Sequence, residues 1–116
     1  MKTYYNRSYS ASKYAFDTTR KAQAIAENLV SQPIEGLSLE DPNAEFFSEG
    51  DPSRRNFTEL ATSLTNQQHS DEYFKAISTG EPRSLAESQG FNWDPGIFTM
   101  ALAHTSGLLA ATHDAL

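Results

Sequence analysis

The sequence predicts a small, mostly helical α/β chain, and three observations carry that reading. A tyrosine-rich opening suits an extended strand. A helical apolar stripe leads into a second short, alternating run. The stretch from Asp94 to Leu116 has the length and composition of one long helix that is apolar around most of its circumference. At 116 residues the chain is a single small domain, or the N-terminal segment of a larger one, since single domains usually hold about 50 to 250 residues.

Taken in order, Thr3, Tyr4, Tyr5 and Tyr9 place a first strand within the first nine residues, because aromatic and β-branched side chains suit a pleated surface. Asp17-Thr18-Thr19-Arg20 is a helix start, since an Asp or Thr oxygen can accept from the unpaired amides of a first turn. Ala22, Ile25, Ala26, Leu29 and Val30 then recur at helical spacing and form one inward stripe on a helix ended by Pro33. Leu37-Ser38-Leu39 follows Gly36 and reads as a second strand, reached by a helical crossover and therefore parallel to the first. Residues 41–55 carry Pro42, Gly50, Pro52 and several acidic residues, which predicts a flexible surface loop.

Asn56-Phe57-Thr58-Glu59 has the form of a capping box, and Phe57, Leu60, Ala61 and Leu64 continue it as a two-turn helix. Ser70 can cap the next helix, with Tyr73, Phe74 and Ile77 facing inward and Gly80 as its left-handed terminator. After Pro82 a short turn over 84–88 ends at Gly90. Asp94 then caps the last helix, with Pro95 at its first position. On that helix Ile97, Ala101, Leu108 and Ala115 mark one apolar face, and Phe98, Leu102, Leu109 and Leu116 mark another. Such a helix is built to be buried on more than one side, with Gly107 permitting close approach. The short stripes elsewhere can cover one face only. The second is expected to meet a partner surface, with Leu102, Leu109 and Leu116 near the contact. Leu116 follows no glycine, asparagine or proline exit, as if the element continued.

Lys and Arg total 9 against 15 Asp and Glu, for a net charge of -6, and the cations are scattered. Phosphate backbones need clustered cations, so no nucleic-acid partner is expected. No apolar run approaches the roughly 20 residues of a membrane span, and the opening lacks the apolar region of a secretory signal. The expected location is cytoplasmic, with no membrane partner, and Asn6-Arg7-Ser8 and Asn56-Phe57-Thr58 then match the glycosylation pattern by chance. The absence of cysteine excludes disulfides, thiolate nucleophiles and zinc–thiolate sites.

Catalytic zinc needs three converging protein ligands, and the imidazoles here are His69, His104 and His113. His104 and His113 are nine residues apart, about 900° of helix, so they face opposite sides. His69 stands beside the capping Ser70 at a helix start. No nucleophile elbow, P-loop or dinucleotide fingerprint occurs. No catalytic residue, metal ligand or cofactor is therefore assigned to this chain. Trp93 beside Asp94 is either a ligand-facing loop corner or an aromatic packed beneath a helix start.

The order of several segments resembles a known family. These are the Tyr-rich opening, Ala15-Phe16-Asp17-Thr18-Thr19-Arg20-Lys21-Ala22, His69-Ser70-Asp71-Glu72-Tyr73, Thr79-Gly80-Glu81-Pro82-Arg83 and Gln89-Gly90-Phe91-Asn92-Trp93-Asp94-Pro95-Gly96. The His69/Tyr73 spacing stands before a loop and a long helix that carries Ile97-Phe98 and Thr105-Ser106-Gly107-Leu108. Together they are similar to the N-terminal part of a bacterial branch of the histone deacetylase-like superfamily, zinc amidohydrolases of the arginase/deacetylase fold.

The resemblance covers nearly the whole chain. It implies the N-terminal portion of a three-layer α/β fold, with one or two short parallel strands at this end and a long buried C-terminal helix. It implies a parent enzyme that hydrolyses acetyl-lysine-type amides with zinc held by two aspartates and a histidine, beside a His-His pair. Those motifs do not occur in residues 1–116, so zinc is expected only in a full-length member. The loop before the long helix shapes the substrate rim in the family, which gives Trp93 and Asp94 that expected role. The expected identity is an N-terminal segment or truncated relative of such a hydrolase, inactive alone, whose partner is the remainder of the enzyme domain. The alternative is a stand-alone helical interaction module that acts as a homo-oligomer or binds another protein.

Overall fold

The computed structural model describes residues 1–14, 17–42 and 57–116, with residues 17–19 described by their backbone alone. The chain is mostly helical with a short two-stranded parallel sheet, a small α/β arrangement. Strand β1 (Lys2–Tyr4) is followed by a 3₁₀ turn (Arg7–Ser10), helix α1 (Asp17–Ser31) and strand β2 (Ser38–Glu40). Helices α2 (Phe57–Gln68), α3 (Asp71–Thr79), α4 (Arg83–Ala86) and α5 (Pro95–Ala115) complete the order.

The parallel pairing sets Lys2 against Ser38, Thr3 against Leu39 and Tyr4 against Glu40. The ladder runs on at both ends, where the Tyr5 N–H donates to the Glu40 carbonyl and the Ser38 N–H to the Met1 carbonyl, each at 2.9 Å. The crossover through α1 is the one the apolar pattern predicts. The first strand, however, is three residues rather than most of the first nine. Asn6 ends it: its Oδ1 accepts the Ser8 N–H at 2.8 Å and closes the 3₁₀ turn, while its Nδ2 donates to the Asp41 carboxylate at 2.8 Å. Tyr9 is thereby turned out of the sheet and toward α5. Asp41, expected at the start of an exposed loop, is half-buried, and Pro42 is buried. Residues 43–55 of that loop, and Asn56 of the capping box, lie outside the described residues.

Helix α1 stops before Pro33, as its sequence predicts, but its stripe is not uniformly inward. Ala26 is buried and Ala22 and Leu29 are half-buried, whereas Ile25 is 58% and Val30 71% exposed. At about 100° per residue the stripe from Ile25 to Val30 spans an arc of about 140°. The 3₁₀ turn and β2, which pack on α1, cover only its middle.

Helix α2 runs three turns rather than two and buries Ala61. The Ser70 hydroxyl accepts the Tyr73 N–H at 3.3 Å to cap α3, and Gly80, at φ 81°, ends it by donating its N–H to the Ala76 carbonyl. Phe74 of α3 meets Phe98 of α5 edge to face at 5.4 Å.

Helix α5 is packed from two sides; of the two apolar faces its sequence suggests, Phe98, Leu102 and Leu109 are half-buried, whereas beyond Ile97 the other face is exposed. Its buried residues are Ile97, Ala103, Ser106, Gly107 and Ala110. Leu102 and Leu109 are half-buried, while Ala101, Ala115 and Leu116 are exposed and Leu108 is 69% exposed. The cause is close approach. A methyl group on Gly96 would overlap the Ala11 carbonyl, and one on Gly107 would overlap the Tyr9 hydroxyl, so the N-terminal segment reaches α5 only over small residues. On the other side the Ser106 hydroxyl, fully buried, donates to the Leu102 carbonyl at 2.8 Å near Phe57, whose ring meets His113 at 5.8 Å. A larger residue at 106 would hold α2 away.

Candidate functional site

Two side-chain clusters bind distant parts of the chain together. The first surrounds the start of α5. Asp94 accepts the Gly96 N–H through Oδ1 at 2.7 Å, which is the helix cap. Its Oδ2 accepts from the Ser12 hydroxyl at 2.9 Å and the Lys13 N–H at 3.0 Å, so the same carboxylate anchors the segment before α1.

Trp93 is half-buried, with its ring against Gly80, where a Cβ would come within 2.6 Å of the indole. Its Nε1 donates to the Ile77 carbonyl at 2.7 Å and its N–H to Glu87 at 2.9 Å. The Arg83 guanidinium lies over the indole at 4.9 Å and donates to the Trp93 carbonyl at 3.1 Å. Trp93 and Asp94 therefore stand together, as the sequence places them, in a junction that ties α3, α4, α5 and residues 12–13.

The second cluster joins β1 to the end of α5. Lys2 and Tyr4 alternate along the strand and so share one face. Both reach Asp114 in the last turn of α5: the Lys2 ammonium at 3.0 Å and the Tyr4 hydroxyl by a hydrogen bond. The Tyr4 and Lys2 hydrogen bonds hold the Asp114 carboxyl below its ordinary value, against the opposing effect of desolvation. Burial, then the bond to Asp114 and its charge, push the Tyr4 hydroxyl up to about 12. Near neutral pH the carboxylate stays charged and the phenol stays protonated. Neither is poised for proton transfer, which works best when the pKa lies near the operating pH. A cavity of about 460 Å³ opens beside them, lined by Met1, Lys2, Tyr4, Ala111, Asp114 and Ala115.

The three histidines stay apart. His69 lies 5.4 Å from the Tyr73 ring at the start of α3. His104 sets its Nε2 2.9 Å from the Tyr9 carbonyl, where the N-terminal segment packs on α5, whereas His113 meets the Phe57 ring of α2 edge to face. The nine-residue separation does place them on different sides. Among the described residues no group of three or more His, Asp or Glu could hold a metal ion, and no helix is long and apolar enough to cross a membrane.

Sequence reasoning missed the Lys2–Tyr4–Asp114 cluster. Its local signals were present, an i, i+2 pair on a strand and an acid in a helix's last turn, but the pairing of residues about 110 positions apart depends on how β1 lies against α5. No protein-family model matches the chain, and no match is found among curated proteins or solved structures.

Proposed function

We propose that this chain is the N-terminal segment of a histone deacetylase-like zinc amidohydrolase, carrying scaffold and rim but no catalytic residues of its own. The observation that supports this reading best is the β1–α1–β2 unit. Parallel strands occur almost only in sheets covered on both faces by helices, and a sheet usually needs about three strands for independent stability. Here two three-residue strands pair in parallel beneath a helix whose apolar flanks, Ile25 and Val30, stand in water. A wider sheet continuing this unit, as the arginase/deacetylase fold has, is the cover those flanks fit.

In that reading the zinc ligands and the His-His pair belong to the remainder of the enzyme domain. The described residues offer no set of donors to hold the metal. What this chain contributes is position: the junction at Trp93 and Asp94 fixes the loop before α5, the substrate rim of the family the chain resembles. The coding sequence after Leu116 tests the reading. It is expected to continue in frame through a tandem His-His and an Asp-x-His motif, and a stop codon there would defeat it.

A second reading, a homo-oligomeric interaction module, is favoured by Leu108, which is 69% exposed on the outer face of α5. Burial of a single leucine supplies about 1.5 to 3 kcal/mol, a contribution to association rather than a full interface. Sedimentation equilibrium on the purified chain and on Leu108→Ser tests it: a dimer lost in the variant would favour this reading, and a monomer in both would remove it.

A further inference from the structure

We draw no further inference here: the strongest candidate, the cavity of about 460 Å³ beside the Lys2–Tyr4–Asp114 cluster at the junction of β1 and the end of α5, carries nothing, because these polar side chains are engaged with one another and nothing in the structure shows what covers it.

Discussion

Helices α1 and α5 both carry apolar residues that ask for cover, and α5 receives more of it. The N-terminal segment crosses α5 over Gly96 and Gly107, and α2 packs near Ser106, so its buried surface consists mainly of small residues held at short range. On α1 the small Ala26 is buried and the large Ile25 and Val30 stand in water. The difference teaches that tight packing here comes from residues that let backbones approach. Large apolar side chains stay exposed where nothing packs on them, as at Ile25 and Val30 on α1 and Leu108 on α5.

The contrast is sharpest where α5 has no room. Gly96→Ala should destabilise the chain by about 3 kcal/mol, because the new methyl meets the backbone of Ala11, which cannot rotate away as a side chain could. Urea unfolding measures this, and a loss below about 0.5 kcal/mol would mean that the N-terminal segment does not cross α5 so closely.

A smaller effect is expected at the cap. Asp94→Ala removes the Gly96 cap together with the bonds from Ser12 and Lys13, for a loss of about 2 kcal/mol. Asp94→Asn, which keeps an accepting oxygen for the cap, should recover part of it.

The clasp between β1 and α5 should appear in alkali. Tyr4 titrates near 10 when unfolded and about 12 when folded, so between those values the unfolded chain releases a proton that the folded chain keeps. Its stabilisation is whole below pH 10 and is lost as pH rises toward 12. Tyr4→Phe should therefore flatten the fall in urea midpoint between about pH 9 and about pH 11.5, leaving a residue from Tyr5 and Tyr9, whose hydroxyls burial also raises. An unchanged slope would show that the clasp does not persist in solution.

The smallest effect belongs to α1. Ile25→Ser and Val30→Ser should each change stability by less than about 0.5 kcal/mol, since both side chains are mostly exposed. A loss several times larger in either would mean that the flank is already covered.

Much of the fold was legible because its signals are local. Asp94-Pro95, Ser70 and Gly80 each satisfy or end a helix within four residues, and the alternation at Leu37-Ser38-Leu39 with a preceding helix implies a parallel crossover. What failed was the choice of faces. The pattern ranks side chains by hydrophobicity, so it chose Ala101, Leu108 and Ala115 as part of a buried face on α5. The actual contact was decided by steric room at Gly96, Ser106 and Gly107, which depends on what crosses the helix. Likewise a tyrosine-rich opening favours a strand, yet Asn6 found Ser8 and Asp41 and ended it early. At the site, the adjacency of Trp93 and Asp94 could be read from the chain, whereas their partners at Ile77, Arg83, Glu87 and Ser12 required the packing of four segments.

The central claim, that α5 is covered and α1 is only partly so, is tested most directly by hydrogen exchange of backbone amides in the native chain. Amides of α5 between Ala101 and Ala110 should exchange only through global unfolding, while those of α1 from Ala22 to Val30 should exchange through a local opening at least about tenfold faster, a difference of about 1.4 kcal/mol. Equal protection of the two helices would contradict the account and show that α1 already has its full cover.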